Sequence, residues 1–519
     1  MTSIVYLPLD ERPCNAVYPV QIAAATDLKL VTPPDSILGA KKTPADTTSI
    51  ADWLLEQTAS ADRLIVSLDM LIYGGIVPSR LHSLSLEECR ARLATLEACR
   101  RNNPRLRIYG FNLIMRAPAY SSNDEEPEYY ADYGAQLSRN GWLQDKQSRE
   151  GLNEEEQAEW QALLAGLPAD VLEDFTGRRR LNAAVNAMAI EAVKNGTIDF
   201  LIIPLDDNAK YGYTSTEQRR LLLQIEEHRL MDRVHVYPGA DEIGCTLFSR
   251  VFCEVKGYKP EIYVRFSATA GPLAIPRYED RSLGESLKSQ ITAAGGFIGD
   301  HASEADFVLM VNSPPVGQYD MAETSFPYAN RHAAYFSETN LREFAQAIRR
   351  YADKGYMVAL ADVATSNGSD RPLMNLLSGS GLLPALSAYA AWNTTGNTLG
   401  TVISHAIVES YYRKEEGRAG NERSRNSETF FVSRLLEDWG YQALIRSDIG
   451  ENHLAALGGN YFDVAAIHDE VTALVRSKME DFIGEYLQDL QPERFRLERV
   501  YMPWKRMFEV GLDLRLAAE

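Results

Sequence analysis

Short apolar runs that end in acidic or polar clusters recur along this chain, and they constrain its fold more than any other feature. Ser3–Leu9, Leu28–Thr32, Arg63–Leu68, Leu106–Ile114, Asp199–Leu205, Val234–Tyr237, Glu261–Phe266, Asp306–Val311 and Met357–Ala361 each read as a strand. Several are apolar throughout instead of alternating, the pattern of strands covered by helices on both faces. Amphipathic helices fill the intervals. Ser85 and Glu88 form a capping box before the stripe Leu86, Cys89, Leu93, Leu96 and Cys99. Ala184, Val185, Met188, Ala189, Ala192 and Val193 form a second stripe, stopped by Gly196. Ser215 and Gln218 are expected to cap a third helix, with Leu221, Leu222 and Ile225 as its apolar face.

Alternating helices and buried strands define an α/β fold with a mostly parallel sheet. The expected arrangement is two doubly wound lobes around a cleft, followed by a helical C-terminal part. A (β/α)8 barrel is the alternative, since the strands slightly exceed eight and acids sit at their ends. The expected segments are 1–257, a main α/β domain with an insertion at 119–180, then 258–410, a second α/β lobe, and 411–519, mainly helical with a closing strand. The insertion is polar and rich in tyrosine, and such loops often cover a site; a plain helical surface insertion is the other reading. Residues 411–429 read as a solvated loop or hinge.

Fifty-three basic residues against 72 acidic ones give a formal charge of −19, which disfavours a large phosphate-backbone footprint. No window reaches the ~18 consecutive apolar residues of a membrane span. The start shows no secretory pattern, and five scattered cysteines without C-x-x-C fit reduced thiols, so a cytoplasmic location is expected. No H-E-x-x-H or H-x-x-x-H spacing marks a zinc site, and neither a phosphate loop nor a G-x-S-x-G elbow is present.

In parallel sheets, functional groups gather just past the carboxyl ends of the strands. Those positions hold Asp10, Glu11, Asp69, Asp206, Asp207, Asp241 and Glu242, the expected catalytic acids. A lone strand-end Asp usually caps a helix, but adjacent pairs such as Asp10-Glu11 and Asp206-Asp207 exceed what one cap needs. Converging acids repel unless a cation, a proton or a bound polyol lies between them. Near them fall Arg12, Asn15, Tyr73, Arg80, Arg116, Asn208, Tyr211, Asp362, Trp392, Asn393 and Asn397, the expected substrate-binding set. Carboxylates, Asn and Arg suit hydroxyl groups, and aromatic faces suit sugar rings.

The expected function is therefore a carbohydrate-active hydrolase, a glycosidase using paired carboxyls, one of them held protonated. Asp207 or Glu242 is the expected acid, and Asp10 or Asp69 the nucleophile or base. A metal-dependent hydrolase using Mg²⁺ or Mn²⁺ and a non-catalytic sugar-binding protein are the alternatives. The leading reading needs no cofactor or metal. Its partner is a small-molecule or oligosaccharide substrate, with no nucleic acid or membrane and with a homo-oligomer left open.

The segments Leu7-Pro8-Leu9-Asp10-Glu11-Arg12-Pro13-Cys14-Asn15, Ser67-Leu68-Asp69-Met70-Leu71-Ile72-Tyr73-Gly74-Gly75, Pro204-Leu205-Asp206-Asp207-Asn208, Pro238-Gly239-Ala240-Asp241-Glu242 and Trp392-Asn393-Thr394-Thr395-Gly396-Asn397 are distinctive. Together they resemble a bacterial family catalogued as domain of unknown function 4127. The resemblance runs over nearly the whole chain. It implies a cytoplasmic bacterial protein of this length and supplies no reaction.

Overall fold

The computed structural model describes residues 2–416 and 421–517. Contacts divide them into two compact units. The first holds residues up to Glu11, Leu28–Gly244 and Tyr278–Asp280. The second holds Arg12–Asp27, Cys245–Arg277 and the chain from Arg281 onward.

The first unit is built on six parallel strands, β1 (Ser3–Leu7), β2 (Lys29–Val31), β3 (Arg63–Ser67), β4 (Arg107–Phe111), β5 (Phe200–Leu205) and β6 (Val234–Pro238). Their order is β2-β1-β3-β4-β5-β6. All six residues of β5 are buried, as its unbroken apolar run predicts. Helices close both faces. The Ser85–Glu88 capping box is present. Helix Ala169–Lys194 lays Val185, Ala189, Ile190 and Val193 onto the sheet core.

The insertion is helical, with Tyr130–Arg149 and Glu154–Gly166 preceding that long helix. Two local expectations need correction. The helix after β5 spans Tyr213–Glu227 and starts from Gly212, whose φ of 142° no other residue adopts readily. Ser215 is therefore inside its first turn and donates to Asn208 Oδ1 at 3.3 Å. Leu222 is 40% exposed and does not belong to the buried face.

The second unit has five parallel strands, β7 (Glu261–Phe266), β8 (Phe297–Ile298), β9 (Phe307–Asn312), β10 (Val358–Asp362) and β11 (Ala388–Ala390), in the order β11-β10-β9-β7-β8. An antiparallel hairpin, β12 (Phe495–Tyr501) and β13 (Gly511–Leu516), ends the chain. The helical region before it packs into the same core, with Trp439, Val471, Val475 and Met479 all buried.

The expected loop at 411–429 is corrected. Thr395–Glu416 and Glu422–Arg434 are helices, and 417–420 lies outside the described residues. The apolar residues interleaved there, such as Tyr411 and Tyr412, pack on Phe252 and so favour helix over loop.

Counted along each unit's own chain, both sheets share one order, with the second strand outside the first and the third on its other side. That is the doubly wound pattern, and its switch point lies between first and third strands. Each sheet keeps two edges and neither closes, so the barrel alternative does not form.

Candidate active site

In the first unit the switch point lies between β1 and β3, whose carboxyl ends carry Asp10 and Asp69. Continuing along the sheet, β4 leads to Arg116, β5 to Asp206 and Asp207, and β6 to Asp241 and Glu242. Neighbouring strands stand ~4.8 Å apart, so Asp10 and Asp207, three strands apart, lie on one rim roughly 14 Å long.

Two arginines organise the middle of this rim. Arg80 reaches Glu125 Oε2 at 2.9 Å, Glu126 Oε1 at 3.3 Å and Asp206 Oδ2 at 2.8 Å. Arg116 reaches Glu125 Oε2 at 3.0 Å, Glu126 Oε1 at 2.8 Å and Asp207 Oδ2 at 3.4 Å. Four carboxyl groups thus share two guanidinium groups. Loss of hydration on burial, and then the adjacent Asp206, push the Asp207 carboxyl well above the usual carboxylate range, against the pull of Arg116. Its side chain nevertheless keeps 21% of its surface exposed. Its backbone is left-handed, with φ 43°, a conformation that costs a non-glycine residue energy. Next to it, Asn208 is 4% exposed, and its Nδ2 has no hydrogen-bond partner among the described residues.

Asp69 is fully buried. It accepts from Leu113 N at 2.9 Å and from Asn112 Nδ2 at 3.2 Å. Burial raises its pKa to about 7 in spite of these bonds. It ties the end of β3 to the loop after β4, and this structural task sets it apart from the partly exposed Asp206 and Asp207.

A polar stripe on one helix holds the rim from behind. Arg179, Asn182 and Asn186, spaced to share a face of helix Ala169–Lys194, all bond to strand-end loops. Arg179 donates to Arg116 O at 3.0 Å while its other nitrogens clamp Glu217 at 2.8 and 2.9 Å. Asn182 donates to Ser79 O at 2.9 Å, next to Arg80. Asn186 donates to Asn112 Oδ1 at 2.7 Å and to Leu113 O at 3.1 Å, behind Asp69.

Other expected residues of this unit have local duties. Glu11 accepts from Lys41 N at 2.8 Å. Asp10 and Asp241 are buried, at 2% and 5% exposure. Glu242 is fully buried and folds back to accept from Ala240 N at 2.9 Å. Tyr73 stacks on His82 with centroids 4.5 Å apart, and Tyr211 meets Trp142 edge-on at 5.2 Å. Those two faces are covered by protein.

The remaining expected residues belong to the second unit. Arg12, Trp392 and Asn393 line a narrow cleft with Cys14, Tyr18, Glu437, Gln442 and Glu509. Its free volume is about 10 Å³, room for about one water. Arg12 faces Glu509 at 3.7 Å and lies over the Trp504 ring at 4.6 Å, with Arg506 over the same ring at 4.5 Å. Asn15 is buried and donates to Cys14 Sγ.

Glu437 accepts from Tyr18 OH and pairs with Arg434, which also binds Asp438 at 3.1 Å. Glu437, Asp438 and Gln442 ride on an 11-residue π-helical segment, Leu435–Ile445, a geometry rare in proteins and frequent at functional sites. Deeper lies a buried polar network. Asp362 accepts from Asn312 Nδ2 at 2.8 Å and from Asp370 N at 2.7 Å, and Arg331 binds Asp370 at 2.6 Å. Burial, then Asp370, raise the Asp362 pKa. Asn397 is buried at the start of helix Thr395–Glu416, and its Nδ2 has no partner among the described residues.

The expected set therefore separates into two groups, one per unit. Arg80 and Arg116 share the carboxyls of the rim, and Arg12 falls in the second unit. Glu125, Glu126, Glu437 and Glu509 are the site residues that sequence reasoning missed. Among the described residues, no three His, Cys, Asp or Glu side chains converge to hold a metal ion. Nor is any helix of theirs long and apolar enough to cross a membrane.

Fold and rim define a doubly wound α/β protein with charged strand ends. The chain belongs to the family described as "Protein of unknown function (DUF4127)", whose profile matches residues 4–513. No curated protein matches the sequence. Among solved structures, "Structure of the carboxyl transferase domain from Rhizobium etli pyruvate carboxylase with 3-bromopyruvate" is similar at 11% identity and a TM-score of 0.19. That match covers 95% of this chain and 61% of the other, and a likeness so slight bears on neither fold nor function.

Proposed function

We propose that this protein is a carbohydrate-active hydrolase, a glycosidase whose proton donor is Asp207. The carrying observation is that Asp207 and Glu125 are bound by the two terminal nitrogens of one guanidinium, Arg116, at 3.4 and 3.0 Å. Two carboxyl groups so held stand a few ångströms apart, near the ~5 Å at which a second carboxylate serves as nucleophile. Asp207 retains its proton toward neutrality because of lost hydration and Asp206, so it can protonate a leaving oxygen. Glu125, shared by Arg80 and Arg116, attacks the anomeric carbon as the protonated oxygen leaves, and water, giving its proton to Asp207, then releases the sugar from Glu125. The buried Asn208 amide, short of a partner, is suited to a ring hydroxyl.

The rim carries two arginines against four carboxyls, which favours a neutral polyol over a phosphorylated substrate. All five cysteines are free thiols, which supports a reducing, cytoplasmic place of action.

The test is a panel of aryl glycosides with the wild type, Asp207→Asn and Glu125→Gln. Cleavage by the wild type is expected, with kcat lower by roughly 10²–10⁴-fold in Asp207→Asn. Cleavage unaffected by either substitution would remove the role assigned to this pair. A wild type inert on every glycoside, yet active on other substrates when Mn²⁺ is added, would move the assignment to a metal-dependent hydrolase.

A further inference from the structure

The second unit's sheet has its own switch point, between β7 and β9, and a groove of about 1160 Å³ opens beside it, past the end of β7 at Phe266. All of its walls belong to that unit. In doubly wound sheets this is where ligands enter. The floor is fixed: Ser267, just past β7, donates to Asn312 Oδ1 at 2.8 Å and accepts from Ser313 N at 2.9 Å. One wall is pinned by Tyr335, whose hydroxyl donates to Ala364 O at 2.7 Å and accepts from Ala322 N at 3.0 Å.

From that wall two rings stand open. Tyr328 is 40% exposed and Phe336 50%, with centroids 4.8 Å apart and planes tilted by 56°. Exposed aromatic surface of this kind, in a concave site, is costly unless something covers it. Beside it the Thr339 hydroxyl is buried with no partner among the described residues. Glu343 is tied to Arg265, and one further acid, Glu338, and one further base, Arg342, line the groove. A phosphate-bearing ligand has no cationic nest here.

We propose that this groove is a binding site for a neutral oligosaccharide, distinct from the acid rim and independent of the hydrolase reading. The tilted ring pair leaves no parallel slot for a flat base, whereas the C–H face of a pyranose packs on a single aromatic face. Hydroxyl groups of the sugar would meet Thr339 and the Asn340 amide. The volume accommodates several sugar units.

The experiment is calorimetric titration of the full chain with neutral hexaoses of α-linked glucose, β-linked glucose, N-acetylglucosamine, xylose and mannose, and with adenosine. At least one hexaose is expected to bind the wild type and Asp207→Asn equally. Phe336→Ala should weaken that binding by about tenfold or more, and Phe336→Tyr should retain it. Phe336 is exposed, so the variant's melting temperature should match the wild type's. The proposal is overturned if no hexaose binds, if adenosine alone binds, or if Phe336→Ala binds as well as the wild type. Failure of glycoside cleavage alone leaves it standing, because Asp207→Asn already separates binding from chemistry.

Discussion

Arg80 and Arg116 bind the same two oxygen atoms, Glu125 Oε2 and Glu126 Oε1. Neither guanidinium can leave without uncovering a carboxylate that the other cannot fully satisfy. Glu126 is 1% exposed, so water cannot substitute.

Replacing Arg116 with Leu should therefore destabilise the protein by about 3–5 kcal/mol, the usual cost of a buried charge that loses its partner. Arg116→Lys should recover only part of this, because an ammonium cannot span Glu125, Glu126 and Asp207 together. Differential scanning calorimetry of the three proteins is the check. Equal melting temperatures for Arg116→Leu and the wild type would show that the network carries no net stability.

Asp69 makes stability fall as pH rises. Its folded pKa, about 7, lies above its ordinary value of 3.8. The fold therefore prefers the protonated form. Its contribution is complete below about pH 4, where both states hold the proton, and is lost as pH approaches 7. The upper bound is about 4 kcal/mol. Asp69→Asn, which cannot ionise, should flatten the decline between about pH 4 and 7. Parallel pH profiles of melting temperature for the two proteins would contradict the assignment.

Gly440, within the π-helical segment, should resist a substitution that ordinarily helps a helix. Glycine to alanine in a helix interior commonly gains about 1 kcal/mol. Here the added methyl would stand 3.1–3.3 Å from the Phe482 ring. That ring is itself held between Trp439, at 4.9 Å, and Tyr486, at 5.0 Å. Gly440→Ala should therefore lose about 1–3 kcal/mol by overpacking. A rise in melting temperature would show that the segment relaxes to an ordinary helix.

Asn186→Leu, similar in volume, should cost about 1–3 kcal/mol, because the carbonyls of Asn112 and Leu113 lose their shared donor. Substituting exposed Asn452, whose amide donates to Asp448 one turn away, should cost far less. Hydrogen exchange at Leu113 N offers a local readout: faster exchange in Asn186→Leu is expected, and unchanged exchange would show that the helix does not hold this loop.

β3, β5, β9 and β10 are readable because their apolar runs are almost unbroken and nearly all of their residues are buried. β8, Phe297–Ile298, and β11, Ala388–Ala390, are too short to carry a pattern. Strand ends point to Asp206, Asp207, Arg80 and Arg116, which the fold brings into one ion-pair network. Glu125 and Glu126 lie in a polar loop without periodicity, and only the folded path of that loop delivers them to the arginines. The start of helix Tyr213–Glu227 was misplaced because Ser215 imitates a cap, while the chain uses the φ of Gly212. The π-helical segment was invisible because apolar spacing is read against the ordinary helical period. The division between Glu11 and Arg12 splits a contiguous motif between two units, and no local signal announces it.

That division also sets a timetable for synthesis. Tyr18 is made early, but Glu437, which accepts its hydroxyl proton, follows 419 residues later. At about 5–20 residues per second the gap lasts roughly 20–80 s. Throughout it, residues 12–27 must wait on the ribosome-bound chain with Tyr18, Pro19 and Ile22 unsheltered by the core that finally buries them. A chaperone that recognises short apolar segments would find a client there, and a transcript cut short before the codon for Glu437 would leave that segment permanently without its partner.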